Sequence, residues 1–197
     1  MHRRTVLWAL VGVAAFVLAG LGAARYLTRA PGGTPAAIGG PFQMVDQTGR
    51  AVDQRLLKGK WTAIFFGYTF CPDVCPTTLQ TLGAAQDQMG AEARKLQVVF
   101  VSVDPARDKP RQLKDYLSSA SFPRGVAGLT GTDAQVAAIA KAYRVFFQKQ
   151  GTGANYTVDH SAVIYLMNPR GAFDSVMPYD LPPDQIKTHI LKAMHAG

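Results

Sequence analysis

The chain has 197 residues, of which 48% are hydrophobic and 17% charged; these values are ordinary for one globular domain and exclude a disordered or fibrous chain. Its two cysteines are too few for a disulfide-stapled scaffold or a four-cysteine zinc site. The net charge is +8, but four arginines lie in the first 37 residues, which leaves 17 basic and 13 acidic residues beyond them. That part has no dense basic cluster interleaved with aromatic residues, so we expect no nucleic-acid partner.

Residues 1–29 predict a membrane anchor. Residues 5–24 carry no charge, and as a helix they would span about 30 Å, the thickness of the hydrocarbon core of a bilayer. Arg3 and Arg4 precede this run, and the small residues 22–24 leave a cleaved signal peptide as the alternative. No long amphipathic, arginine-rich leader is present, which favours a bacterial envelope over a mitochondrion. We expect a single-pass protein of the bacterial inner membrane whose folded domain and cysteines face the periplasm.

Residues 30–40 are rich in proline and glycine and predict a flexible linker, so we expect the folded domain to comprise residues 41–197. Three apolar runs in that domain predict buried strands at residues 61–68, 97–103 and 161–167. The remaining pattern predicts a hairpin at residues 42–52, a strand at 172–177, and helices at 77–89, 110–118, 133–147 and 182–194.

The order of these elements predicts the fold class. Strands this apolar need helices on both faces of the sheet, so the class is α/β with a mixed central sheet. A β-α-β opening followed by an antiparallel hairpin and a final helix is the thioredoxin-like arrangement.

The sequence CPDVCP at residues 71–76 lies between the first buried strand and a helix. Functional sites gather at this carboxyl end of the strands in α/β sheets. Pro76 suits the first helical position and would place Cys75 at the N-cap. The unpaired N–H groups and positive end of the helix would then favour the thiolate, so we expect the pKa of at least Cys75 to be below the free value of about 8.5.

Two nearby thiols have three possible uses: a redox disulfide, a metal site or a structural bridge. Closing a five-residue loop removes little chain entropy, which disfavours the bridge. Redox pairs usually have two intervening residues, whereas Cys71 and Cys75 have three, and the wider spacing suits an ion held between the sulfurs. A metal would need at least one further donor.

The histidines differ as candidates for that donor. His2 precedes the uncharged run at residues 5–24, and His189 and His195 lie on the polar face of the last helix, where solvated side chains are expected. His160 directly precedes the third core strand, in a segment that lies against the cysteine loop in a thioredoxin-like topology. Topology alone leaves open whether His160 is a ligand or an ordinary residue. With it, the ligands would be soft and three in number, which favours copper(I) over structural zinc.

Three segments together are similar to the Sco/SenC family of membrane-anchored copper proteins with thioredoxin-like folds. These segments are residues 67–79, 102–108 and 156–161, and Gly40, Phe42, Gly59 and Lys60 also match. The resemblance implies a copper ion, Cu(I) or Cu(II), bound by Cys71, Cys75 and His160. It also implies a metallochaperone that helps assemble the binuclear copper centre of cytochrome c oxidase. The partners would be the copper-binding subunit of the oxidase and an upstream copper donor or thiol reductant.

The sequence also supports other hypotheses. A thiol–disulfide oxidoreductase that reduces the cysteines of the oxidase would need both sulfurs but not His160. A peroxidase-like thiol enzyme is disfavoured because no arginine stands beside the cysteines in sequence. Asp104 is either a turn residue or a group that orients the copper loop. Copper binding is expected to weaken in acid, as the ligands take up protons.

Overall fold

The computed structural model describes residues 38–196. The predicted anchor and most of the predicted linker therefore lie outside the described residues. Within them, no helix combines the length and apolar character needed to cross a membrane. The end of the predicted linker belongs to the folded domain. Ile38 packs against the core, and the N–H of Gly39 donates to the carbonyl of Ala142 at 2.9 Å.

Residues 38–196 form nine strands and four α-helices. The strands are β1 (Gln43–Asp46), β2 (Ala51–Asp53), β3 (Trp61–Gly67), β4 (Leu96–Ser102), β5 (Ala127–Thr130), β6 (Phe147–Gln150), β7 (Thr157–His160), β8 (Val163–Met167) and β9 (Phe173–Pro178). The helices are α1 (Val74–Gln88), α2 (Pro110–Tyr116), α3 (Asp133–Tyr143) and α4 (Pro183–Ala196).

Seven strands form one mixed sheet in the order β2-β1-β5-β4-β3-β8-β9. β4 is parallel to both β3 and β5, whereas β8 is antiparallel to β3. Every residue of β3 is buried, so both faces of the sheet are covered at its centre. Phe65, Phe66 and Phe100 are fully buried there. The predicted α/β class with a mixed central sheet is confirmed.

One predicted helix is too long. The helix predicted at residues 133–147 ends at Tyr143, because Arg144 adopts the left-handed conformation with φ of 56° and ends the helical path. Residues Phe147–Gln150 then form β6. The apolar spacing of the helix continues by coincidence to Phe147, so the pattern could not reveal this break. Strand β5 was also not predicted, since four residues give little periodicity.

Strands β6 and β7 form a separate two-stranded antiparallel sheet, here called the histidine hairpin. His160 is the last residue of β7, opposite Phe147, rather than a loop residue as predicted. The hairpin therefore fixes the backbone of His160 through a ladder of its own, outside the seven-stranded sheet.

Candidate metal centre

The two cysteines occupy different positions from those predicted. Helix α1 begins at Val74 with Asp73 as its N-cap, so Cys75 is the second helical residue and the prediction that it caps the helix is wrong. The backbone N–H of Cys75 instead faces the sulfur of Cys71, with 3.5 Å between nitrogen and Sγ. The free N–H groups at the start of the helix thus serve the first cysteine, because the helix begins two residues earlier than Pro76 suggests.

The sulfur of Cys75 is buried in a space left by a glycine. Cys75 has no exposed surface, whereas Cys71 is partly exposed. A Cβ atom added at Gly67, the last residue of β3, would lie 2.7 Å from the Sγ atom of Cys75 and 2.9 Å from the ring of Phe100. Gly67 is therefore required at this position so that the sulfur can lie against the end of the strand.

The two thiols, which form no disulfide, differ in acidity. A hydrogen bond from Cys75 lowers the pKa of Cys71 from 9.0 to about 3, and further hydrogen bonds from His160 and from backbone N–H groups act in the same direction. The same bond, in which Cys75 is the donor, raises the pKa of Cys75 well above its usual value, and burial adds to this rise. The expectation of a lowered pKa at Cys75 is therefore wrong: the thiolate is Cys71.

His160 lies beside the cysteines. Its Nε2 atom is 3.6 Å from the Sγ atom of Cys75. The imidazole ring packs edge-on against Phe65 and Tyr68, each with 6.1 Å between ring centroids. Its Nδ1 atom is 3.2 Å from the carbonyl oxygen of Ser161. Because Nδ1 is directed at that carbonyl, Nε2 is the ring nitrogen that faces the sulfurs and is positioned to bind an ion.

These three side chains are not yet a complete metal cage. Within residues 38–196, no three His, Cys, Asp or Glu side chains are already arranged to hold an ion. His189, one of the two histidines of the last helix, is hydrogen-bonded to Ser175 on β9, with 2.8 Å between Nε2 and Oγ. The site therefore contains one partly exposed thiolate, one buried thiol and one imidazole. Their side chains would have to move before all three could bind the same ion.

A buried carboxylate supports the start of the cysteine loop. Asp108 accepts hydrogen bonds from the backbone N–H of Thr69 at 3.0 Å, from the hydroxyl of Thr69 at 2.6 Å and from the hydroxyl of Ser102 at 2.6 Å. Burial raises the pKa of Asp108, although these hydrogen bonds oppose the rise. Asp108 was not among the predicted site residues. Its position just after β4, beside the end of β3, was the available signal, because the carboxyl ends of parallel strands meet.

Arg107, which was not predicted to take part in the site, also lies close to the cysteine loop. The guanidinium of Arg107 lies 4.6 Å from the ring of Phe70, which directly precedes Cys71. Its Nε atom donates to Asp104 at 2.5 Å, and its Nη1 atom donates to the carbonyl of Tyr156 at 3.0 Å. Arg107 therefore lies beside the residue that precedes Cys71, but its hydrogen bonds go to oxygen atoms and not to the sulfurs. Asp104 is more than a turn residue, since it holds this arginine.

Comparison with known proteins agrees with this geometry. The family model described as SCO1/SenC matches residues 30–195. The chain is 41% identical to "Protein SCO1 homolog 1, mitochondrial" of Arabidopsis thaliana over 145 residues, which are 73% of this chain and 43% of that protein. It is 38% identical to "Protein SenC" of Rhodobacter capsulatus over 156 residues, or 79% of this chain and 70% of that protein.

A solved structure extends the comparison. The structure of Bradyrhizobium japonicum ScoI with copper bound is 46% identical in sequence, with a TM-score of 0.72, and the match covers 80% of this chain and 99% of that one. The chain spans only about half the length of several curated relatives that it matches, between 43% and 47% for three of them. The matched residues nevertheless include both cysteines, His160 and nearly all of the described domain. The chain therefore belongs to the SCO1/SenC family.

Proposed function

We propose that this protein binds a copper ion through Cys71, Cys75 and His160 and carries it as cargo. The observation that supports this most directly is the distance of 3.6 Å between the Nε2 atom of His160 and the Sγ atom of Cys75. Two thiolate sulfurs and one imidazole nitrogen are soft donors that suit copper(I). The copper-bound relative from Bradyrhizobium japonicum, similar over 80% of this chain, supports the same choice of ion.

The states of the side chains suggest an order of events. Cys71 is partly exposed and already a thiolate, so it provides the first donor. Cys75 then gives up the proton that it shares with Cys71, because a thiol binds copper as its thiolate. His160 provides the lone pair of Nε2, while its Nδ1–H group donates a hydrogen bond to the carbonyl of Ser161. A site with three ligands stays open to a fourth ligand, as transfer to another protein requires.

The cargo is destined for the binuclear copper centre of cytochrome c oxidase, and the protein acts as a metallochaperone in its assembly. Membership of the SCO1/SenC family supports this role. The partners are the copper-binding subunit of the oxidase and an upstream copper donor or thiol reductant. In this proposal residues 1–29 anchor the chain in the bacterial inner membrane and the copper domain faces the periplasm, for which the uncharged run at residues 5–24 is the support.

Copper titration tests the ligand set. We expect the full chain in detergent to bind one copper(I) ion, and Cys71→Ser, Cys75→Ser and His160→Ala each to weaken the affinity by more than about tenfold. His189→Ala is the matched control, because His189 is hydrogen-bonded to Ser175 and lies outside the proposed ligand set. Wild-type affinity in all three ligand variants would show that the assignment is wrong.

A second function, reduction of the cysteines of the oxidase, is favoured by the low pKa of Cys71 together with its partial exposure. An exposed thiolate beside a protonated thiol is the arrangement that attacks a disulfide of another protein. This function needs Cys71 and Cys75 but not His160. A His160→Ala variant that keeps its reduction potential but no longer supports oxidase assembly would exclude reduction as the sole role.

A further inference from the structure

Arg107 joins three parts of the molecule that meet beside the cysteines. It belongs to the loop after β4, where its Nε atom donates to Asp104 at 2.5 Å. Its Nη1 atom donates to the carbonyl oxygens of Tyr156 at 3.0 Å and of Ala154 at 3.3 Å, both in the segment that leads into β7. The side chain is only 15% exposed, so these bonds are largely protected from water.

The guanidinium of Arg107 also packs against two aromatic rings, one from the cysteine loop and one from the segment before β7. Its carbon Cζ lies 3.6 Å from the ring centroid of Tyr156 and 4.6 Å from that of Phe70. The hydroxyl of Tyr156 donates to Asp104 at 2.6 Å, which closes a ring of contacts around the same carboxylate. Cation–π contacts of this kind are strongest when the cation is shielded from water. We call Asp104, Arg107 and Tyr156 the arginine clasp.

The arginine clasp matters because of how the histidine hairpin is held. In the described part of the chain, β6 and β7 pair with each other and with no strand of the seven-stranded sheet. Only two residues join His160 to β8, so the backbone tethers this end of β7, and side-chain contacts hold the rest of the hairpin against the cysteine loop. Tyr68 contributes one of these contacts, because its side-chain oxygen accepts a hydrogen bond from the backbone N–H of Val158. Arg107 contributes two hydrogen bonds to the hairpin segment and a ring contact, and it also touches Phe70 beside Cys71.

We propose that Arg107 is a positioning residue that holds the histidine hairpin against the cysteine loop and so keeps His160 within reach of Cys75. Arg107 makes this connection because one planar guanidinium donates to the hairpin while its faces contact Tyr156 and Phe70. A lysine offers one point charge and no planar face. Where copper binding is the readout, this inference rests on the proposed function; the position of the hairpin itself does not.

A double-mutant cycle with copper(I) tests the connection. We expect Arg107→Met to weaken copper binding by about tenfold or more in the wild-type chain, and by less than about twofold in a His160→Ala background. Such coupling arises only if Arg107 acts through His160. An equal loss in both backgrounds would overturn the proposal, because it would indicate a general structural effect. Arg111→Met is the matched control, because the side chain of Arg111 is 94% exposed and its ion pair with Asp115 is long at 3.9 Å.

Amide hydrogen exchange tests the same proposal without copper. In Arg107→Met we expect exchange in the ladder between β6 and β7 to accelerate by more than about tenfold, while the ladder between β3 and β4 keeps its wild-type rates. Arg107→Lys keeps a cation for Asp104 and should also accelerate amide exchange between β6 and β7. It replaces Arg107→Met as the test if the methionine variant does not fold. Unchanged hairpin exchange in a folded variant would overturn the proposal. Failure of the wild type to bind copper would contradict the proposed function only.

Discussion

The Nε2 atom of His160 lies 3.6 Å from the Sγ atom of Cys75, although 85 residues separate them in the sequence. Cys75 is held at the start of α1, directly beyond the central strand β3. His160 is held at the end of the separate histidine hairpin. The site is therefore formed between the end of the central strand and a hairpin that pairs with no described strand of the large sheet, and its chemistry depends on how these elements are positioned.

The first prediction concerns the reactivity of the two cysteines. Because Cys71 is a partly exposed thiolate and Cys75 is a buried thiol, we expect iodoacetamide at about pH 6 to modify Cys71 first and almost alone. Peptide mass mapping at short reaction times measures the ratio. In the control variant Cys71→Ser, the remaining Cys75 should react many times more slowly. Faster modification of Cys75 in the wild type would contradict the assigned thiolate.

The second prediction concerns the dependence of stability on pH. The folded pKa of Cys71 is about 3 and its usual value is 9.0, so between these values the unfolded chain binds a proton that the folded chain does not. This contribution to stability is complete above the usual value and is lost progressively as the pH falls toward 3. Cys75, whose pKa is raised, stays protonated in both states over the same range.

We therefore expect the free energy of unfolding to rise between about pH 5 and about pH 8 more steeply in the wild type than in Cys71→Ser. Urea denaturation of the metal-free, reduced protein at several pH values measures both slopes. The variant retains every carboxylate and histidine, so the difference between the slopes isolates the thiol. Parallel curves for the two proteins would show that Cys71 is not ionised specifically in the folded state.

The third prediction concerns the protons released when copper binds. At about pH 7 the thiol proton of Cys75 must leave, whereas Cys71 has none to lose, so binding of copper(I) should release about one thiol proton per ion rather than two. Below this pH copper binding should weaken, because protons compete for the ligands. A pH-stat titration counts the protons. Cys75→Ser should release none from thiols, and release of two in the wild type would mean that both cysteines begin as thiols.

The fourth prediction concerns the space around the sulfur of Cys75. Gly67→Ala would place a Cβ atom 2.7 Å from this sulfur, so we expect the unfolding free energy to fall by about 1–3 kcal/mol and copper affinity to fall with it. Chemical denaturation and copper titration measure the two effects. Gly40→Ala is the control, because its added Cβ would meet the Cβ atom of Ala142 at an ordinary 3.5 Å. Equal behaviour of the two variants would show that Gly67 is not needed for the sulfur.

The main sheet could be predicted from sequence because its strands are continuously apolar. β3, β4 and β8 lie at or within two residues of the predicted runs, since burial on both faces leaves an unmistakable pattern. The histidine hairpin could not be predicted in this way. Strand β6 is mostly exposed, and it follows a helix whose apolar spacing happens to continue into Phe147. Only the left-handed turn at Arg144 separates the two, and that conformation leaves no trace in hydrophobicity.

The candidate site was predictable in its members but not in its electrostatics. The cysteine motif indicated the two sulfurs, whereas the position of His160 left its role open and only the resemblance to the Sco/SenC family indicated it as a ligand. The assignment of the thiolate failed because it depended on where α1 begins, and a shift of two residues gives the helical N–H groups to Cys71 instead of Cys75. Arg107 was missed because its contacts with Tyr156 and Phe70 join distant parts of the sequence.

The separate strand pairing of the histidine hairpin has a consequence for how the proposed copper carrier would release its ion. Because β6 and β7 share no backbone hydrogen bonds with the described strands of the large sheet, the imidazole can retreat without breaking any rung of that sheet. In the proposed copper carrier, a recipient would have to replace the bond from the imidazole to the ion and the side-chain contacts of the hairpin, while the strand pairing of the large sheet stays intact. In the proposed function, β3 and α1 would hold the two sulfurs in place, while movement of the histidine hairpin would set when the ion is released.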